Sequence, residues 1–279
     1  MLLRRMISHV EDQNWFAVVL DFFIVVGGVL VAFQLTTWGE RQAAAERAKV
    51  SLFQLYEESE AALGYWIEQV SFEDERLEVQ DRVIAALAEG ARGDITENEI
   101  VAALTGIPRY SALSPPRRAF DELSSAGLLR EIDAADAMDA VANYYEQVEF
   151  IQGQIGHFRP SAGYPNEVLN YRLMSIYDAT RLTRQRIEMD FAALVADAEY
   201  LNVLVDEYRN RMIFQFYRRW TMHDAAEMCM SLAEAVGATC ETTEIYNEWA
   251  ELPQWQTRNV PNYGNPEPQD ENEEMESEE

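Results

Sequence analysis

Phe16 to Thr37 read FAVVLDFFIVVGGVLVAFQLTT, and a tryptophan stands at each end, Trp15 and Trp38. At a rise of about 1.5 Å per residue, an α-helix over this run crosses a hydrocarbon core of about 30 Å with modest tilt. The flanking indoles suit the headgroup level, where an amphipathic ring keeps its N–H wet and its face in lipid. A cleaved leader would carry a shorter apolar core and a small-residue cleavage site soon after it. Here the run is longer and ends in Gln34-Leu35-Thr36-Thr37-Trp38. The expectation is a retained signal anchor, transmembrane over residues 15–38, preceded by a short flank at 1–14.

Orientation is harder to read. Arg4 and Arg5 precede the span, while Arg41, Arg47 and Lys49 follow it, so counting basic flanks favours neither direction. The positive-inside bias weakens for long translocated segments, and the short flank carries two arginines plus the amino terminus. The expected location is therefore the bacterial inner membrane, single-pass, with residues 1–14 in the cytoplasm and the bulk of the chain periplasmic.

The whole chain is acidic, with 49 Asp and Glu against 22 Lys and Arg and a formal net charge of -27. That balance argues against nucleic acid, whose phosphates require a basic face, and against broad contact with anionic lipid headgroups. Glu267 to Glu279 hold eight acidic residues in thirteen. Self-repulsion and the lack of apolar area predict a disordered acidic tail over 259–279, either a solvating end or an interaction tail.

Residues 39–258 read as one helical bundle domain. Ala43 to Ala88 contain no proline and a single glycine, Gly64. Leu52, Tyr56, Leu63, Trp66, Val70, Leu77, Ile84 and Leu87 recur at threes and fours, the signature of an apolar stripe on a long helix. Gaps at Ser59, Glu73 and Gln80 break the stripe and favour a packed bundle over a clean coiled coil. Gly90 and Gly93 end that helix, and Thr96 with Glu99 forms a capping box for a short one. Further helices are expected at Arg117 to Ala126, ended by Gly127; from an Asp133 cap to about His157, with breaks at Pro160, Gly163 and Pro165; at about Glu167 to Asp190; and at Asp197 to Val236. The predicted fold class is all-α: an N-terminal transmembrane helix, an elongated multi-helix bundle and a disordered acidic C-terminal tail.

Chemistry-bearing motifs are sparse. His9, His157 and His223 are far apart and have no partner at metal-ligand spacing, and no Gly-rich phosphate loop, Cys-x-x-Cys or nucleophile elbow occurs. The expectation is a non-enzyme with no catalytic residues, no cofactor and no metal. Cys229 and Cys240 are the only cysteines. An even pair in an exported domain reads first as a disulfide; two unrelated buried thiols are the alternative, which a cytoplasmic orientation would favour. One continuous helix would hold their Cα atoms about 16 Å apart, beyond the roughly 7 Å limit for a bridge, so pairing requires a helix end between them, and Gly237 is placed to supply it.

Three residues of the span are candidates for contact with a partner. Asp21 is its single acid, and a carboxylate in lipid costs about 2.5–3.5 kcal/mol on insertion scales unless it faces protein, water or the headgroups. Gly28 and Ala32 form a small-x-x-x-small face that lets a second helix approach closely. Expected partners are the bilayer and, through this helix, a second copy or another membrane protein; nucleic acid is excluded. Near the C-terminus, Tyr200, Tyr208, Phe214, Phe216, Tyr217 and Trp220 interleave with Arg209, Arg211, Arg218 and Arg219, a pattern read as packing with arginines bonded to acids of neighbouring helices.

Gln13-Asn14-Trp15-Phe16-Ala17-Val18, Leu20-Asp21-Phe22, Ile24-Val25-Val26, Gly28-Val29 and Trp38-x-Glu40 together resemble a bacterial family of single-pass membrane proteins of unknown function. Phe120 to Gly127, FDELSSAG, followed by Leu129 and Ile132, is similar to a mid-chain segment of that family. Gly39 departs from the Trp-Asn-Glu that commonly ends the span there. The resemblance implies an architecture and a designated partner for Asp21, not an activity. The function expected is a membrane-anchored helical scaffold or protein-interaction protein; the alternative is a periplasmic sensory or ligand-binding helical bundle.

Overall fold

The computed structural model describes residues 15–107, 109–161, 163–241, 246, 247 and 250, with side chains for all of these except 15–18, 157–161 and 163–166. The flank 1–14, the acidic tail 259–279 and the last bundle residues 251–258 lie outside the described residues, as do the indole of Trp15 and the imidazoles of His9 and His157.

Helix α1, Trp15–Glu89, is continuous over 75 residues, about 110 Å at the helical rise. Its N-terminal part has a mean hydropathy of 2.1 over an 18-residue window, none of it buried against the rest of the chain. Phe22, Phe23, Val25 and Leu35 are 63, 65, 64 and 63% exposed. A core helix of a soluble fold would bury such residues; among the described residues this segment packs on nothing, and it is long and apolar enough to cross a membrane. At its end the Thr36 and Thr37 hydroxyls donate to the carbonyls of Ala32 and Phe33 (3.0 and 2.9 Å), so neither is left unsatisfied.

From Ser51 onward the same helix buries one face. It is followed by α2, Glu97–Gly106; α3, Arg118–Ala126; a 3-10 turn, Leu128–Glu131; α4, Ala135–Ser161; α5, Gly163–Tyr171; strands β1, Leu173–Tyr177, and β2, Gln185–Met189; α6, Phe191–Val195; and α7, Ala198–Val236. Helix α7 returns antiparallel along α1 and makes two apolar clusters with it. The first joins Leu55 to Val70 of α1 with Tyr144, Val148 and Ile151 of α4 and Phe214 to Ala233 of α7. The second joins Val83 and Leu87 with Ile100 and Leu104 of α2, Leu169, Leu194, Tyr200 and Leu204.

The helix ends follow local chemistry. Thr96 and Glu99 complete the capping box, the Glu99 N–H donating to the Thr96 hydroxyl and the Thr96 N–H to the Glu99 carboxylate. Asp197 caps α7 by accepting from the Tyr200 N–H, and Gly127 and Gly237 take left-handed conformations at the C-termini of α3 and α7. Helix α3 starts one residue later than the sequence suggests, with Arg117 as its N-cap. Helix α4 starts past Asp133, at Ala135, and runs through Pro160 to Ser161.

One expectation is overturned. The helix read over Glu167 to Asp190 stops at Tyr171, and β1 and β2 form an antiparallel hairpin with Leu173 opposite Met189 and Tyr177 opposite Gln185. The turn is set by Asp178, whose carboxylate accepts from both the N–H and the hydroxyl of Thr180, an Asx turn that competes with helix. Arg184 closes it in the left-handed region at φ 54.

Candidate functional site

The stripe on α1 does not break at Ser59, Glu73 and Gln80. These side chains are 0, 3 and 1% exposed, and the spacing of threes and fours runs through them unbroken from Tyr56 to Leu87. Ser59 bonds its own helix, donating to the Tyr56 carbonyl at 2.6 Å. Glu73 and Gln80 instead found a polar layer between the two apolar clusters.

Three guanidiniums share the Glu73 carboxylate. Arg211 Nε lies at 2.5 Å, Arg76 Nη1 at 3.6 Å and Arg218 Nη1 at 3.9 Å. Arg211 is 2% exposed, and its Nη1 donates to the carbonyls of Gly106, Ile107 and Arg109 at 2.8, 2.9 and 2.9 Å. The Gly106 and Ile107 carbonyls lie at the C-terminus of α2 and that of Arg109 in the loop beyond it, so the buried cation sits at the negative end of the helix dipole. Arg76 Nη2 donates to the same Gly106 carbonyl at 3.3 Å. A Cβ on residue 106 would lie 2.8 Å from that nitrogen, so glycine is what allows the approach.

Beside this group, Gln215 donates to the Val70 carbonyl and to Asp74 at 3.0 and 2.8 Å, and Arg219 reaches Asp74 at 2.5 Å. Burial brings the Arg218 guanidinium down to about 10, Glu73 opposing and Arg211 and Arg76 adding to the shift. Burial also lowers Arg76, with Arg211 beside it, while Glu73 holds it up. Glu207, 5% exposed, is raised by burial, its bond from Asn210 opposing. The α7 arginines read from sequence as packing residues thus divide: Arg211, Arg218 and Arg219 bond acids of α1, and Arg209 pairs with Asp206 on its own helix at 3.4 Å.

A cleft of about 260 Å³ opens next to this layer, between α1 and α2, lined by Glu75, Arg76, Val79, Gln80, Ala102 and Ala103. The Gln80 carboxamide oxygen is buried and has no hydrogen-bond partner among the described residues. A second depression of about 330 Å³ lies between Leu52, the N-terminus of α4 at Asp133 to Ala137, and Ser231, Glu234 and Ala235 of α7.

The FDELSSAG segment forms a second node. Helix α3 has no side-chain cap of its own; Glu58, projecting from α1, accepts from the Ala119 and Phe120 N–H groups at 2.5 and 3.0 Å and from the Tyr145 hydroxyl at 2.5 Å. Phe120 stacks on Tyr145 with ring centroids 3.8 Å apart. This is a carboxylate placed at a helix N-terminus from another helix, a packing device.

The residues singled out from sequence stay apart. Cys229 and Cys240 are disulfide-bonded, Cα atoms 5.7 Å apart, because α7 ends at Gly237 and the chain folds back. Asp21 is exposed, with no hydrogen bond or ion pair among the described residues. Gly28 and Ala32 share an open face, and a Cβ on Gly28 would meet nothing within 4 Å. His223 lies 3.1 Å from the Tyr246 hydroxyl and 3.2 Å from Glu227, and among the described residues no group of His, Cys, Asp and Glu could hold a metal ion. Sequence reasoning missed Glu73, Gln80, Arg76 and Glu58. For the first two the signal was present, since a polar residue that keeps the heptad spacing of its apolar neighbours is a buried polar residue.

Comparison with family models, with curated proteins and with solved structures gives no match to this chain.

Proposed function

We propose that the chain is a membrane-anchored helical scaffold or interaction protein, held in the bacterial inner membrane by residues 15–38, with its N-terminus in the cytoplasm and its bulk periplasmic, and with no enzymatic activity. The observation that carries this reading is the continuity of α1 from an apolar segment packed on nothing to the buried face of the bundle. A single helix shared by anchor and core fixes the height and orientation of the bundle over a bilayer, which a linker would not.

The end of the bundle farthest from the anchor supports the interaction role. There the hairpin and the residue before it expose Tyr171, Met174, Tyr177 and Leu182, at 80, 61, 75 and 101%. Residues 171–189 carry Arg172, Arg181, Arg184 and Arg186 against Asp178 and Glu188, a local excess of two positive charges in a chain of net charge -27. Exposed aromatic, Met and Arg side chains on a ribbon with an unpaired edge have the composition of interface residues. The disulfide accords with an exported bundle, and the resemblance of residues 13–40 and 120–132 to a single-pass family accords with the anchor.

The test is site-specific photocrosslinking in the native membrane, with the anchor intact and the crosslinker at position 182. A discrete adduct from position 182, absent when the crosslinker sits on the exposed face of α4, is expected; no adduct from either position would remove the interaction reading. Thiol labelling of reduced protein in intact and permeabilised cells tests the topology, and cysteines reachable only from the cytoplasm would reverse it. A second reading, a ligand-binding bundle, draws its support from the cleft between α1 and α2, where charged, polar and apolar groups converge.

A further inference from the structure

We propose that the cleft between α1 and α2 binds a free aliphatic α-amino acid, an inference that rests on the ligand-binding reading and names its ligand. Behind the cleft, Arg76, Arg211 and Arg218 share one carboxylate, Glu73. Arg211 and Arg218 are sealed inside, at 2 and 4% exposure, whereas the Arg76 side chain is 27% exposed and forms part of the cleft wall. A ligand carboxylate on Arg76 would give this partly exposed guanidinium a second anion in the planar geometry that it prefers.

The other walls select what accompanies that carboxylate. Glu75, on the same lip, makes no ion pair among the described residues. Gln80 lines the cleft at 1% exposure with its carboxamide oxygen buried and unpartnered among the described residues, an acceptor that a ligand donor satisfies once the side chain turns toward the cleft. Helix α2 turns its C-terminal half to the cleft through Ala102 and Ala103, and that end of a helix favours a cation. Together these groups call for an ammonium beside the carboxylate, and they disfavour inorganic phosphate, which Glu75 repels. Val79, Ala102 and Ala103 leave an apolar strip for a short aliphatic side chain. The volume of about 260 Å³ falls below the roughly 300 Å³ at which pockets for larger ligands begin.

Isothermal titration of the full chain in detergent, with L-valine, L-alanine, acetate, isobutylamine and inorganic phosphate as probes, decides it. L-valine is expected to bind saturably at one site, with acetate and isobutylamine weaker by about tenfold or more. Arg76→Gln is expected to weaken L-valine by about tenfold. Because Arg76 also holds the Gly106 carbonyl, the companion variant is Ala102→Trp, at an exposed position, which fills the cleft without touching the arginine layer; it should abolish binding with the thermal unfolding curve unchanged. L-valine binding that survives Ala102→Trp overturns the proposal. Acetate or phosphate binding more tightly than L-valine, and lost in Ala102→Trp, overturns the amino-acid assignment and leaves a ligand-binding bundle. Absence of binding by every probe overturns the amino-acid proposal.

Discussion

Glu73 is the residue on which the interior of the bundle turns. With 3% exposure it faces three guanidiniums, so its removal leaves buried cations without a counter-charge. Truncating one partner of a buried ion pair costs about 3–5 kcal/mol, whereas replacing the whole set by apolar side chains of similar volume is often neutral or stabilising. Glu73→Gln is therefore expected to destabilise by that amount in denaturant unfolding followed by circular dichroism; replacing Arg211 as well would not restore it, because its guanidinium also holds the Gly106, Ile107 and Arg109 carbonyls. A loss under about 1 kcal/mol for the single variant would show the pair to be solvated. Glu58 acts on a smaller scale. Glu58→Ala removes the cap of α3, worth about 1–2 kcal/mol, and amide exchange at Ala119 and Phe120 should rise well before that of the α1 core; unchanged exchange there would refute the capping role.

Among the elements, α7 owes its two ends to short-range chemistry and its place to long-range contacts. Asp197 starts it, Gly237 ends it, and the fold-back brings Cys240 to Cys229. Closing a loop of this length contributes about 3 kcal/mol on a chain-entropy account. Cys229→Ser with Cys240→Ser should lower the unfolding free energy by about that much, and thiol labelling of denatured, unreduced protein should find no free cysteine; stoichiometric labelling would show the bridge absent in the cell. The hairpin is the element that local reading mistook for helix. Leu173, Met174, Ile176 and Tyr177 stand three and four apart, a spacing that locally reads as helix, and the Asx turn at Asp178 is visible only once Thr180 is read as its partner. Glu73 and Gln80 were misread for a related reason: hydropathy treats a polar residue as a gap, whereas its position in the heptad says that it points inward.

Across the whole molecule, buried tyrosines set the response to alkali. Burial is the largest cause raising Tyr110, Tyr144, Tyr145 and Tyr200 above the ordinary 10.0, and it pushes Tyr246 up to about 12. The unionised phenols favour the fold; their contribution is fully present below pH 10 and is lost as pH rises through the raised values. Arg218 works in the opposite direction. Burial holds its guanidinium below the ordinary arginine range, at about 10, so losing its proton adds stability from there upward. Five phenols outweigh one guanidinium, and helix content should collapse cooperatively above about pH 10, together with the appearance of tyrosinate absorbance. Gradual ionisation with helix content intact would contradict this. In the apolar segment, a Cβ on Gly28 meets nothing within 4 Å among the described residues, and Gly28→Ile should leave the fold unchanged; if Gly28 and Ala32 form a helix contact between copies, the same variant shifts the detergent-solubilised oligomer to monomer in analytical ultracentrifugation.

The anchor-length helix, the all-α class, the caps at Thr96, Asp197, Gly127 and Gly237, and the helix end that a Cys229–Cys240 bridge requires are all written in the order of residues along the chain. Each depends on residues within a few turns of one another, where period, propensity and capping act directly. Tertiary packing alone makes Glu73 gather Arg76, Arg211 and Arg218, lets Glu58 cap a helix some sixty residues downstream, and opens a cleft between α1 and α2. Those features depend on which helix faces which, and helix pairing is settled by the burial of whole faces, a quantity no local stretch of chain carries.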